Sequence, residues 1–276
     1  MRIAVLGPEG TYSEKAALRW SQDLARSGCA QMTELIYCSD FEDVLKAVEA
    51  GVSDVGVVPV ENSLEGAVTV VMDLLLKLSV SIIGEVTVPV KHCLVGRGED
   101  EVKVVLSHPQ ALAQCRQYLR DHYPGAEIRT TGSTSHAARL AQEFPEMAAI
   151  AEAGTAEKYG LKILARGIQD AGGNVTRFIV AGKVAAEATG RDKTSLVVYL
   201  QRDRPGALFA ILQEFAARAI NLTRIESRPS RKGLGDYYFY IDLEGHKDEP
   251  AVREALKAIE EKAAMIKVLG SYPRAE

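Results

Sequence analysis

Residues 194–229 read TSLVVYLQRDRPGALFAILQEFAARAINLTRIESRP, and the order of patterns in this stretch decides the fold of the C-terminal third. TSLVVYL and LTRIESRP read as strands. Between them, ALFAILQEFAARA places Leu208, Ile211, Leu212 and Phe215 at the 3–4 spacing of a buried helical face. DYYFYIDLE, PAVREALKAIEEKA and MIKVLGSYP follow as strand, helix and strand. The order βαββαβ predicts an α+β ferredoxin-like domain.

Working back from there, KVAAEATGRDK is small, polar and charged, the texture of a linker. Ahead of it, residues 2–182 alternate short apolar runs with amphipathic ones: RIAVL before a helix from about Ser13 to Ala25, LIYCS before FEDVLKAVEAG, DVGVVPV before AVTVVMDLLLKL. SIIGEVTV leads to CLVG; VKVVL precedes ALAQCRQYLRDHY, EIRTTG precedes SHAARLAQEF, and MAAIAEA precedes GTAEKYG. This alternation predicts α/β units with mostly parallel sheets. Their number suggests two lobes within residues 1–183, with the second domain over 193–276. A chain of 276 residues also exceeds one average domain of roughly 150.

The strand-to-helix junctions are rich in small polar residues: GPEGTYSEK, PVENSLEG, SHPQAL, GSTSHAA and EAGTAE. Each offers an N-cap, and Pro109 suits a first helical turn. In open α/β sheets such loops lie at the carboxyl ends of strands, where ligands bind. Capping alone accounts for any one of them. Five together point to a cleft for a small anion, held by free N–H groups and helix dipoles. The phosphate signatures G-x-x-x-x-G-K-[ST] and G-x-G-x-x-G opening a helix are missing. The five histidines, His92, His108, His122, His136 and His246, show no metal-ligand spacing.

Lys and Arg number 33 against 37 Asp and Glu, a net charge of −4, without the basic footprint that nucleic acid requires. No apolar run reaches the ~18 residues of a membrane span, and the N-terminal run is too short for a signal peptide. The cysteines Cys29, Cys38, Cys93 and Cys115 are dispersed, which predicts reduced thiols and a cytoplasmic protein. In that setting the sequons at Asn174 and Asn221 are accidental.

One phrase is unusual: GGNVTRF, residues 172–178, sets a hydroxyl, a guanidinium and an aromatic ring in succession after a flexible turn. Taken with GPEGTYS, PVENSLEGAV, SHPQALAQC and IQDAGGNVTRF in order, and PGALF and ESRP in the second domain, the chain resembles the prephenate dehydratases that carry a C-terminal ACT domain. The resemblance runs over essentially the whole sequence. Met1 leads straight into the first strand, so no fused chorismate mutase domain is expected. The family implies two α/β lobes arranged like a periplasmic binding protein with the active site between them. It also implies decarboxylative dehydration of prephenate to phenylpyruvate, with no cofactor and no metal.

By that resemblance Thr176 is the residue most tied to catalysis. Arg177, with its planar fork, is the expected carboxylate anchor. Glu61, Asn62, Ser63, Thr11, Ser107, Gln110, Asn174 and Phe178 are expected around the substrate, with His108 beside them. Phe178 also reads as core, and Asn62-Ser63 reads equally as a cap. ACT domains commonly pair and hold an amino acid at the seam, here L-phenylalanine as feedback inhibitor. Gly206, Ala207 and Leu208 at a helix start, Asn221 and Leu222, and Glu226, Ser227, Arg228 and Pro229 are the expected effector contacts. A homodimer or dimer of dimers is expected. Two alternatives stand beside this reading: an arogenate dehydratase, and an amino-acid-sensing binding protein without catalysis.

Overall fold

The computed structural model describes residues 1–26, 28, 32–98, 102–201 and 204–275; Cys29 lies outside them. Cys38, Cys93 and Cys115 are free thiols. No helix among the described residues is long and apolar enough to cross a membrane.

The first lobe comprises β1 (Arg2–Leu6), α1 (Tyr12–Arg26), β2 (Glu34–Cys38), α2 (Phe41–Ala50), β3 (Val55–Asn62), β4 (Gly66–Ala67), α3 (Thr69–Lys77) and β5 (Ser81–Pro89). The chain then crosses to a second lobe: β6 (Cys93–Gly96), β7 (Val104–Ser107), α4 (Pro109–Gln114), α5 (Arg116–His122), β8 (Glu127–Thr130), α6 (Thr134–Glu143), β9 (Met147–Ala151), α7 (Ala153–Lys158) and β10 (Lys162–Arg166). It returns as β11 (Val175–Gly182) to complete the first sheet, in the order β2-β1-β3-β11-β5 with β4 on β3. The second sheet has the order β10-β6-β9-β7-β8.

Both sheets are mixed, which corrects the expectation of mostly parallel ones. β1 runs parallel to β2 and β3, and β7 parallel to β8 and β9. β11 is antiparallel to β3 and β5, and β6 to β9 and β10. The cause is the double crossing. β6 and β11 enter their sheets directly from the other lobe and run away from the junction, whereas β3 and β9 run toward it. No crossover helix is needed, so the parallel rule does not apply to them.

Local chemistry sets the helix ends. Asp40 accepts from the Asp43 amide at 2.8 Å and Ser133 from the His136 amide at 3.0 Å, each as an N-cap. The single helix expected over ALAQCRQYLRDHY is broken at Cys115. There the Asp170 carboxylate accepts from the amides of Gln117 at 2.9 Å and Tyr118 at 3.2 Å, so α5 starts afresh under an anionic cap.

In the first lobe, α1 covers one sheet face, packing Ala16 and Ala17 on Ile3, Val5, Phe178 and Val180. The other face buries Val58, Ile179 and Ala181 under α2 and α3. The C-terminal domain docks on that same face. Its strands β12 (Asp192–Leu200), β13 (Leu222–Pro229), β14 (Tyr237–Glu244) and β15 (Ala263–Pro273) are arranged β13-β14-β12-β15. Its helices α8 (Ala207–Ala216) and α9 (Pro250–Glu260) cover the outer side, while Val197, Tyr240, Leu269 and Tyr272 join the core of the first lobe. Lys267 caps the carboxyl end of α3, donating to the carbonyls of Leu75, Leu76 and Leu78 at 2.9 Å each. At Gly270, β15 meets β5 so closely that a Cβ would lie 2.1 Å from the Ile82 carbonyl oxygen.

Candidate active site

The two lobes are joined by residues 90–92 and 167–174, which lie side by side. The Val90 amide donates to the Asn174 carbonyl at 2.8 Å and the Ile168 amide to the His92 carbonyl at 3.1 Å. GGNVTRF is the end of the second crossing. Gly173 adopts a φ of 77°, a conformation glycine reaches without steric cost. Ser63 fastens this turn: its hydroxyl donates to the Gly173 carbonyl at 3.3 Å and accepts from the Val175 amide at 3.0 Å. Ser63 is therefore a clamp on the glycine turn and not a helix cap.

A β-bulge decides which side chains meet. In the β3–β11 ladder Thr176 opposes Asn62 and Arg177 opposes Glu61, but Phe178 opposes Pro59, leaving Val60 as the extra residue. An inserted residue reverses the facing of everything beyond it. Asn62 thus shares a face with Thr176, while Glu61 shares the opposite face with Arg177.

On the Thr176 face a buried amide network spans the junction. Asn62 Nδ2 donates to Thr176 Oγ1 at 2.8 Å and to Asn174 Oδ1 at 2.7 Å. Its Oδ1 accepts from the amides of Leu64 at 3.0 Å and Glu65 at 3.1 Å, which fixes the orientation of the side-chain amide. Asn174 Nδ2 donates to Gln114 Oε1 at 2.9 Å, and Gln114 Nε2 donates to Glu65 at 3.2 Å, so the chain of bonds runs from the first lobe through the crossing to the second lobe and back. Gln114 Oε1 also lies 2.9 Å from His92 Nε2, so that nitrogen carries the proton and Nδ1 has no partner among the described residues. Burial pushes the His92 imidazole below its ordinary value, outweighing the Gln114 bond. The consequence for Thr176 is directional. Its oxygen accepts from an amide nitrogen whose two hydrogens are both committed, so the hydroxyl proton is free to be donated elsewhere.

On the opposite face Arg177 is engaged at all three guanidinium nitrogens. Nε donates to Glu85 at 2.7 Å, Nη1 to Asp242 at 2.6 Å and Nη2 to the Tyr272 hydroxyl at 2.8 Å. Glu61 stands 3.7 Å away, and also 3.8 Å from Arg224. Burial alone would lower the Arg177 pKa, but Tyr272, Asp242 and Glu85 outweigh it and drive it up. The expected carboxylate anchor is therefore corrected: the fork is spent on protein partners, on the side of the strand away from Thr176. Glu61 is corrected with it, since it faces the C-terminal sheet.

Other expected contacts divide similarly. Thr11 caps α1, accepting from the Glu14 amide at 3.3 Å and donating to the Leu6 carbonyl at 3.1 Å. Beside it the Gly10 carbonyl accepts from Ser135 at 2.8 Å and Thr155 at 3.3 Å, both from the second lobe. Ion pairs Lys15–Glu152 and Lys158–Glu9 add to this closure. A cavity of about 500 Å³ lies here, walled by Thr11, Ser39, Ser133, Ser135, His136 and Arg139. Ser107 is corrected: fully buried, it donates to the Ile150 carbonyl at 2.6 Å and is out of reach of a ligand. His108 and Gln110 are exposed at the start of α4. Phe178 is core, 2% exposed and packed under α1, so its place around the substrate is corrected too. Gln114 and His92 went unnamed as site residues in the sequence. Gln114 sits in SHPQALAQC, six residues past the nominated His108, in the last turn of α4.

In the C-terminal domain, Gly206 has a φ of 82° at the start of α8. Arg228 is paired with the first lobe: its Nε and Nη2 hold Asp73 of α3 at 3.0 and 2.9 Å. Glu226 is in register with Tyr240, on the face turned to the first lobe. Thr223, Ile225, Ser227 and Pro229 are exposed along β13, the sheet edge.

Comparison with known proteins places this architecture. The family model described as prephenate dehydratase matches residues 3–186, and that described as ACT domain matches residues 194–261. A prephenate dehydratase of Methanocaldococcus jannaschii is 43% identical over 271 residues, covering 96% of each chain. The solved prephenate dehydratase of Arthrobacter aurescens in complex with L-Phe superposes with a TM-score of 0.86 at 37% identity, covering 99% of this chain and 90% of that one. A solved protein described as a novel type of quorum quenching acylase superposes with a TM-score of 0.83 at 31% identity, covering 99% and 98%. Matched by both models and by relatives along nearly its whole length, the chain belongs to the prephenate dehydratase family and ends in an ACT domain.

Proposed function

We propose that the chain converts prephenate to phenylpyruvate in the junction between its lobes, with Thr176 as the catalytic hydroxyl. As a member of its family the chain is a carbon–oxygen lyase of phenylalanine biosynthesis. In the reaction the bond from the ring to its carboxylate breaks, the electron pair enters the ring, and the ring hydroxyl leaves as water after taking up one proton. Aromatisation drives the step, so the protein needs to position and to protonate rather than to form a covalent intermediate. No cofactor is called for.

The observation that carries the assignment is the bond from Asn62 Nδ2 to Thr176 Oγ1. It orients the threonine so that its own proton points outward, toward a departing hydroxyl. A well-placed donor of this kind contributes ~100- to 10,000-fold. An acylase would instead need a base to activate the nucleophile, and the neighbour of this oxygen is an amide donor. With Arg177 engaged elsewhere, the substrate carboxylates fall to the loop face of the junction, where Thr11, Ser133 and Arg139 border one cavity. Asn62, Asn174 and Ser63 hold the catalytic turn.

The division into a dehydratase domain over 1–183 and a regulatory domain over 193–276 belongs to this proposal, with L-phenylalanine as effector and a cytoplasmic location. The N–H groups opening α8 at Gly206, Ala207 and Leu208 suit a carboxylate, and the effector contacts expected at Asn221, Leu222 and Ser227 belong to the same proposal. The edge of β13, with Ile225 45% exposed and Phe209 of α8 67% exposed, suits pairing with a second copy as a dimer or dimer of dimers. Incubation with prephenate at neutral pH, followed by phenylpyruvate absorbance, tests the activity. Turnover of arogenate with a higher kcat/KM would reassign the substrate, and no turnover of either would leave a sensor.

A further inference from the structure

We propose that Arg177 is a positioning residue that ties the placement of Thr176 to the C-terminal sheet, an inference that rests on the role given to Thr176 above. The two residues are adjacent on β11 but belong to different neighbourhoods. Thr176 meets Asn62 at the junction. Arg177 meets Asp242 of β14 and Tyr272 of β15. Ser195 of β12 is bonded to both of these at 2.6 Å, so three strands of the ACT sheet converge on one guanidinium. Glu85 of β5 closes the ring from the first lobe, held in turn by Lys193 at 2.9 Å and by the Ala275 amide at 3.0 Å.

All of these side chains are largely buried, and removing one partner of a buried ion pair is strongly destabilising. A displacement of the sheet must therefore carry Arg177 with it or break bonds that resist breaking. The bulge at Val60 lies between Arg177 and Phe178 in the ladder, so the first residues of β11 are set apart from the regular pairing further along. The other polar dockings of the domain reach neighbouring elements: Lys267, Arg228 and Tyr240 hold α3, Lys193 holds Glu85 of β5, and Arg224 lies 3.8 Å from Glu61 of β3. Among the described residues, Arg177 is thus the β11 side chain that hydrogen-bonds to the ACT sheet, beside the apolar packing of Ile179 and Ala181.

The test uses the full chain. Tyr272→Phe removes one Arg177 partner and Asp242→Asn removes the charge of another, neither altering β11, and Lys267→Met loosens the docking on α3. The expected result is a kcat lowered ~10- to 100-fold at near-constant KM in Y272F and D242N, as for a misplaced donor. Weaker inhibition by added L-phenylalanine should accompany it, and K267M should keep its kcat. Wild-type kcat in Y272F, or an equal loss in K267M, overturns the proposal and leaves Arg177 a general interface residue. If D242N does not fold, Y272F decides alone. Failure of the reading beneath is separate and shows as full turnover in Thr176→Ala.

Discussion

Asn62 Nδ2 donates to Thr176 Oγ1 at 2.8 Å, and the polarity of that bond determines what the threonine can do. The same nitrogen gives its second hydrogen to Asn174, while the Asn62 oxygen is held by two backbone amides. The amide cannot turn over without losing four bonds. The threonine oxygen is accordingly an acceptor on the protein side and a donor on the other.

Thr176→Ala should lower kcat by ~100- to 10,000-fold and leave the fold in place, because the side chain is only partly buried. Thr176→Ser retains the hydroxyl and should keep more of the rate. Steady-state kinetics with thermal melts of both variants check this; an alanine variant with wild-type turnover removes Thr176 from the chemistry.

Asn62→Asp is nearly isosteric but reverses the bond. A carboxylate accepts, so Thr176 would turn its proton inward and Asn174 Oδ1 would face a second acceptor. The expected outcome is a kcat close to that of Thr176→Ala, with a stability loss of about 1–3 kcal/mol from the mismatched buried groups. A kcat within twofold of wild type, read with urea unfolding on the same sample, would show that bond direction is immaterial.

These relationships also mark how far the sequence could be read. The βαββαβ order was legible because apolar spacing switches cleanly between strand and helix periods over residues 194–273, and the GGNVTRF turn was legible as a site. The facing of Thr176 and Arg177 was partly legible, since neighbours on a strand point opposite ways. What lay on each side was not. A bulge at Val60 leaves no mark in composition, yet it sends Glu61 to Arg177 and Asn62 to Thr176. Arginine beside a catalytic residue reads as an anion anchor, and only the fold, which brings Glu85 from the next strand and Asp242 and Tyr272 from far along the chain, shows that groups of the protein itself occupy it. Mixed sheets escaped the strand–helix alternation for a similar reason: the direction of β6 and β11 depends on which lobe the chain arrives from.

Gly270→Ala should undock the ACT domain. The added methyl group would sit 2.1 Å from a backbone oxygen of Ile82, which no rotamer can relieve. A shift of β15 off β5 would follow, with a cost of about 1–3 kcal/mol or more. Loss of the coupling should appear as protease sensitivity between residues 183 and 191, the irregular stretch before β12, and as reduced response to phenylalanine. Retention of wild-type melting and cleavage patterns would mean that the two strands can separate without consequence.

Acid should loosen the same interface. Burial raises the pKa of Glu85, but Arg177 and Lys193 more than offset it. At Asp242 burial is likewise outweighed, by Arg177, Ser195 and Arg224, so both carboxyls hold protons more weakly folded than unfolded. The stability they contribute is therefore complete above the ordinary carboxylate range near pH 4 and is lost as pH falls through their lower folded values. Melting temperatures from pH 7 down to about pH 3 should fall more steeply for the wild type than for a Glu85→Gln/Asp242→Asn double variant, which has less left to lose. Parallel curves would mean that carboxylates elsewhere govern the acid response and that this network is neutral to protonation.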